Sequence, residues 1–239
     1  MGRGRLWCVV ERTAVEGTGD DERVRVVGVG PWADERRGTP PDDPRLDPQL
    51  LREGDRRNVV DGYRYWTEAA IRADLAERRA RDWPGAELHV AVEGFQHDMN
   101  VGSVARTANA AGAAGFHVVA DRRWNRRGAM ATDRYLAVHH HASAADLLVW
   151  AAGRDLVLVG LDNAPGASPL ETADLPARCL LVVGSEGPGL SAEVVAASAL
   201  LVEIAQFGST RSMNAGAAAA VAVHAWLRRH AFGQVPPPS

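Results

Sequence analysis

The sequence predicts an α/β fold with a mostly parallel sheet and helices on both faces, and three observations carry that expectation. Short, strongly apolar runs recur at residues 88–92, 116–119, 156–161, 179–183 and 200–204, each of a length that suits a buried strand. Alanine-rich or amphipathic stretches long enough for helices lie between several of them, as crossover connections require. Three segments, 95–106, 183–191 and 204–216, place glycines and polar heads just beyond apolar runs. An open α/β sheet builds its site from such strand-end loops.

Taken in order, residues 1–85 read as an N-terminal strand-and-helix extension and residues 86–239 as the core domain. Strand candidates lie at 6–10 and 24–29, the second inside a charged, Gly- and Pro-rich stretch over 16–55 that looks like an elaboration rather than a core. Asp61 is placed to cap a helix over residues 63–80, and Pro84 with Gly85 stops it. The strand 88–92 feeds the first polar loop, and a helix over 103–113 ends at Gly112 and Gly115 before the strand 116–119. An arginine-rich loop follows, then a strand over 135–138 and the histidines 139–141. Ser143 caps a helix over 144–152 that Gly153 terminates. The closing helix spans 215–230, with Val221, Trp226, Leu227 and Phe232 as its larger packing groups.

Composition bounds the partners. The chain has 239 residues and a formal net charge of −3, and all 27 of its Lys and Arg residues are arginine. Such a balance gives no global attraction to nucleic acid, so any basic contact must be local. Arg122, Arg123, Arg126 and Arg127 surround Trp124, a cluster that suits phosphate contacts with a ring available to stack. A solvated arginine surface has the same composition. Cys8 and Cys179 occupy separate apolar runs and read as buried free thiols, which favours a reducing compartment. The start of the chain does not resemble a secretory signal, and the weakly polar stretch 215–223 is too short to cross a membrane. A soluble, cytoplasmic protein without membrane contact is expected. The triplet His139, His140 and His141 is no metal site by pattern, because adjacent residues alternate direction in a strand.

The three polar segments differ in kind. Asn100 and Arg106 flank Gly102, and they can meet only if Asn100 precedes the regular helix and bends back. Asn100 then caps or orients the loop, and Arg106 offers fixed donors to a phosphate or carboxylate. Gly184, Glu186, Gly187 and Gly189 form a turn after an apolar strand, where backbone groups can approach a ligand closely and Glu186 can hold hydroxyls or a substrate donor. A plain tight turn with an exposed Glu186 is the alternative. The segment lacks both GxGxxG and a P-loop lysine. In the third, Gly208, Ser212, Met213 and Asn214 run directly into the closing helix; Ser212 or Asn214 can cap it, and Met213 can cover a flat or thioether-containing ligand.

Together these segments resemble the three motifs of the SpoU/TrmH-type RNA 2′-O-methyltransferases of the SPOUT superfamily. The first motif is matched by Asn100, Gly102 and Arg106, and the second by Gly184, Glu186, Gly187 and Gly189. The third is matched by Ile204, Gly208, Ser212, Met213 and Asn214, with Ala205 where the family has proline and Met213 where it has leucine. The resemblance covers about residues 86–232. It implies a deep trefoil knot in the C-terminal part, a homodimer whose site draws on both subunits, and S-adenosyl-L-methionine as cofactor, with no metal. Cofactor binding then falls to Leu161, Gly184, Glu186, Gly189, Ile204, Ser212 and Met213. The catalytic set becomes Arg106, Asn100, Glu186, Ser212 and Asn214, with Arg106 at the ribose hydroxyl. Arg106, Arg122, Arg123, Trp124, Arg126 and Arg127 become the RNA contacts, and the substrate a structured RNA, tRNA slightly ahead of ribosomal RNA. A noncatalytic RNA-binding or scaffolding protein on the same fold is the alternative, and a nucleotide-dependent metabolic enzyme on a conventional open sheet stands behind both.

Overall fold

The computed structural model describes residues 28–35, 38–120, 124 and 132–234. The strand candidate 6–10, most of 24–29, Cys8 and the loop arginines 122, 123, 126 and 127 lie outside them. The chain runs through α1 (Trp32–Glu35), α2 (Pro48–Glu53), α3 (Glu68–Asp82), β1 (Glu87–Glu93), α4 (Asp98–Ala110), β2 (Gly115–Val119) and β3 (Val138–His141). It continues through α5 (Ala144–Ala152), β4 (Val157–Leu161), β5 (Ser168–Pro169), β6 (Arg178–Val183), α6 (Ala192–Ala197), β7 (Leu200–Glu203) and α7 (Ala215–His230). Among the described residues seven strands form one sheet in the order β3-β2-β1-β6-β4-β7-β5, and every pairing in it is parallel.

Strand direction and side-chain alternation put a core on each face of the sheet. Val90, Val92, Leu181 and Val183 face α4 and α7, whose Val104, Ala108, Ala219 and Trp226 close one cluster. Ala91, Leu158, Leu180 and Val182 face α5 and α6 through Leu147, Ala151 and Val194. Side chains satisfy the first free amides of α2, α3, α5, α6 and α7: Ser143 and Asp146 form a reciprocal capping box on α5, and Asn214 accepts from Ala217 N on α7. Trp226 is buried, as the closing helix requires, whereas Val221 and Phe232 are exposed at 42% and 59%. The expected contribution of those two residues to packing is therefore corrected.

The extension folds differently from its expectation. Residues 61–63 make a single 3₁₀ turn and Tyr65 takes a left-handed φ of 64°, so the helix begins only at Glu68 and Thr67 caps it in place of Asp61. The buried Asp55 organises this turn by accepting from Arg57 Nε at 2.8 Å, Arg57 Nη2 at 2.7 Å and Tyr65 N at 3.0 Å. Burial alone would raise its carboxyl, but those donors outweigh burial and hold it below the usual range. Tyr63, Ile71 and Tyr135 form a small cluster that joins the extension to residues 132–135. Trp83 meets Trp226 edge-on at 5.8 Å.

The strand expected at 135–138 instead begins at 138, because residues 132–135 form a 3₁₀ turn, and the histidine triplet itself supplies the edge strand. His139 and His141 share the α5 face with His89 and His117, beneath Trp150. Hydrogen bonds of 3.0 Å run from Glu87 to His89 Nε2, from His89 Nδ1 to His117 Nε2, and from His117 Nδ1 to His141 Nε2. An ionised Glu87 makes His89 Nε2 a donor, and each following Nδ1 must then accept, so one neutral tautomer satisfies the whole chain. Burial first, then the neighbouring histidines and Arg154, push His117 down to about 2. The lone thiol among the described residues, Cys179, is buried and pushed up to about 12. Among those residues no helix is long and apolar enough to cross a membrane.

Candidate active site

The loops after β4, β6 and β7 stand at the carboxyl ends of three neighbouring strands and enclose a crevice. A cavity of about 440 Å³ fills it, within the usual size of small-ligand pockets. Leu161, Gly184, Glu186, Gly189, Ile204, Ser212 and Met213 all line it. The sequence pattern missed Asp162, Asn163, Ser185, Gln206 and Arg211, which line it too. Asp162 and Asn163 carried a usable signal, being a polar pair that directly ends an apolar strand.

Local contacts explain why the loops hold this shape. Ser185 and Gly189 exchange backbone hydrogen bonds of 3.2 and 3.0 Å, closing a tight turn around Gly187 at φ 94°. Gly184 lies so close to that turn that a Cβ would come within 2.4 Å of Gly189 C and Leu190 N. Asp162 Oδ2 accepts from Leu190 N at 2.7 Å, and Asn163 Nδ2 donates to Arg211 O at 2.9 Å. The loop after β4 thus ties down the other two. Glu93, buried at the end of β1, accepts from Ser191 N at 2.9 Å and fixes the exit of the second loop.

Three distant segments meet at one carboxylate. Asn100 Nδ2 donates to Glu186 Oε1, Asn214 Nδ2 donates to Asn100 Oδ1 at 3.2 Å, and the same amide reaches Glu186 Oε1 at 3.4 Å. Asn214 Oδ1 accepts from Ala217 N at 3.1 Å, so Asn214, and not Ser212, caps α7 while facing the triad. Asn100 was expected before the regular helix. It lies within the first turn instead, because His97 is already extended at the cap and the acidic Asp98 suits the positive helix end. Asn100 therefore does not cap α4, and its amide is spent on Glu186.

Arg106 sits six residues further along α4, which is about 9 Å along the axis and about 120° around it. It is exposed, and Ser103 stands between it and Asn100 on the i, i+3 row. Ser103 packs beside Gly216 of α7, where a Cβ would lie 3.2 Å from its Oγ. Hence Asn100, Glu186 and Asn214 are in contact, Ser212 is on the cavity wall, and Arg106 is on the open flank of the same helix. Trp124 is half-buried, with its ring edge-on to Phe116 at 6.3 Å. It is partly committed to the core, which reduces the face it could offer to a base.

Comparisons with known proteins agree with this geometry. The SpoU rRNA Methylase family matches residues 87–224. An uncharacterized tRNA/rRNA methyltransferase of Mycolicibacterium paratuberculosis is 34% identical over 156 residues, covering 62% of this chain and 48% of that protein. The tRNA (guanosine(18)-2′-O)-methyltransferase TARBP1 of Mus musculus is 25% identical over 185 residues, covering 73% of this chain and 12% of that protein. The chain therefore spans about half the length of the first relative and a small part of the second. The crystal structure of the SpoU methyltransferase AviRb from Streptomyces viridochromogenes in complex with AdoMet superposes with a TM-score of 0.56 at 26% identity, covering 60% of each chain.

Proposed function

The chain belongs to the SpoU rRNA methylase family, and on that premise we propose that it transfers the methyl group of S-adenosylmethionine to a ribose 2′-hydroxyl of structured RNA. The observation that carries this reading is the meeting of the Asn100, Glu186 and Asn214 side chains beside a cavity that Leu161, Ile204 and Met213 line. That cavity fits the cofactor in chemical kind: apolar side chains for a flat ring, glycine-loop backbone groups for its edge, and a carboxylate for hydroxyls or a cationic centre. When bound, S-adenosylmethionine supplies a sulfonium methyl that is already activated.

The remaining work falls to this chain's own residues. Glu186 and the two asparagine amides hold the ends of three loops in one geometry, so the acceptor hydroxyl meets a preformed site. Arg106 is exposed on the helix that carries Asn100, and its planar guanidinium suits an RNA phosphate beside the reacting ribose. A guanidinium stays protonated, so Arg106 orients the hydroxyl and stabilises charge while the phosphate or solvent takes the proton. Ser212 supports the wall opposite Glu186.

Two subunits are proposed to complete the site, with the knot that the family implies in the C-terminal part; the apolar Val221 and Phe232 left exposed at the closing helix support an association of chains. Residues 1–85 are proposed as an extension that helps to select RNA, with 86–239 as the catalytic domain. A short helical elaboration favours tRNA as the first substrate pool over ribosomal RNA. Purified protein incubated with labelled S-adenosylmethionine and separate tRNA and ribosomal RNA pools should label a ribose in one of them. Label found only on bases would overturn the ribose assignment.

A further inference from the structure

Three large apolar side chains stand exposed at positions next in sequence to the triad or to the cavity wall. Met99 at 74% and Met213 at 41% each precede a member of the triad, and Phe207 at 99% follows Gln206 on the cavity wall. Phe207 is the extreme case. Every residue from 206 to 214 is exposed, so its ring projects from Gln206, Gly208, Ser209 and Thr210 with Arg211 four residues on. The core of a protein interface is a continuous apolar patch stripped of charge, which this polar segment is not. An exposed aromatic ring and an arginine carried on one loop are the pairing that single-stranded RNA uses, ring to base and guanidinium to phosphate.

Resting on the function proposed above, we propose that Phe207 is a substrate-positioning residue that stacks on an unpaired RNA base at or beside the reacting nucleotide. A ribose brought to the mouth of the cavity has a base that must leave its own stack, at an energetic cost. The ring at position 207 replaces the lost stacking partner without reading base identity, because every base has a π-face. Met213, on the cavity wall, adds a flexible, polarizable side chain from the same loop.

The test compares wild type with F207A, F207L and F207W. RNA binding is followed by anisotropy of fluorescein-labelled total tRNA and of fluorescein-labelled ribosomal RNA fragments. Methyl transfer, S-adenosylmethionine affinity by calorimetry, and sedimentation are measured on the same samples. F207A should weaken RNA binding and raise the KM for RNA by about 5- to 100-fold, with cofactor affinity, sedimentation and kcat at saturating RNA unchanged. F207W should restore most of the loss and F207L should not. Unchanged RNA binding in F207A, or full rescue by F207L, would overturn the stacking role. A change in sedimentation would assign Phe207 to contact between chains instead, and a parallel fall in cofactor affinity would assign it to the cavity wall. Wild type that binds RNA through Phe207 but labels no pool would sink the methyltransferase reading and leave the stacking intact.

Discussion

Two polar networks in this molecule each cross three segments of chain, and they differ in what surrounds them. Asn100, Glu186 and Asn214 meet at the strand ends beside an open cavity. Glu87, His89, His117 and His141 meet across the face of the sheet beneath Trp150, where water is excluded from His117. Water and ligand can replace any bond in the first network, so its members are free to be spent on chemistry. The second is closed upon itself, and a partner removed from it leaves a buried polar atom with no substitute. Similar hydrogen bonds thus have different uses, decided by burial.

That contrast predicts that changes in the open site alter turnover without altering stability, and that changes in the sheet do the reverse. The largest effect is expected for Arg106→Ala, which should lower methyl transfer by about 10²- to 10⁴-fold while the thermal midpoint stays put. Equal labelling by variant and wild type would remove Arg106 from the mechanism. Glu186→Ala should follow, with turnover down by about 10- to 100-fold and a melting curve within a few degrees of wild type; a collapse in stability would show the triad to be scaffold. His117→Leu should cost about 1–3 kcal/mol in urea unfolding, because the facing nitrogens of His89 and His141 lose their partner. Its activity per folded molecule should hold, and a loss of turnover at full stability would break the comparison.

The smallest effect is a dependence on pH. His89 and His117 are pushed below the 6.5 of an ordinary histidine, mainly by burial; Glu87 opposes this at His89 and Arg154 reinforces it at both. His141 is lowered in the same way, with Asp146 pulling against burial, His139 and His140. The folded state therefore binds fewer protons than the unfolded state below 6.5. Stability from these groups is fully present above about pH 6.5 and is lost as pH falls, continuing for His117 toward its value of about 2. His117, neutral throughout this range, contributes a slope of about 1.4 kcal/mol per pH unit below 6.5. Urea midpoints at pH 7.5 and 5.5 measure it, and identical midpoints would mean that the cluster charges freely in the fold.

The elements most legible in the sequence were those whose signals are local. Ser143 and Gly153 delimit α5, and the alanines after Asn214 mark α7, at the residues where the structure starts and ends them. All seven residues that the family resemblance assigned to a cofactor line one cavity, because they stand at the carboxyl ends of the neighbouring strands β4, β6 and β7 or in the loops that follow. What local pattern could not show depends on distant partners. The start of α4 at Asp98 was hidden because the amide of Asn100 is claimed by Glu186, 86 positions away. The three histidines read as a polar strand end, yet His89 and His117 on neighbouring strands draw His139 and His141 onto the α5 face, where His141 is buried, and leave His140 exposed. Tyr65 displaced the expected helix start through a left-handed turn that only Asp55, Arg57 and the rest of the extension could hold.

Gly184 has a consequence for mutational scanning. Any side chain there would run into the backbone of Gly189 and Leu190 rather than into a movable side chain, so a growth or activity screen should deplete its variants as strongly as those of Arg106. A parallel count of protein abundance separates the two positions. Variants at 184 should vanish from both readouts and those at 106 from activity alone, which distinguishes a residue that supplies space from one that supplies a charge.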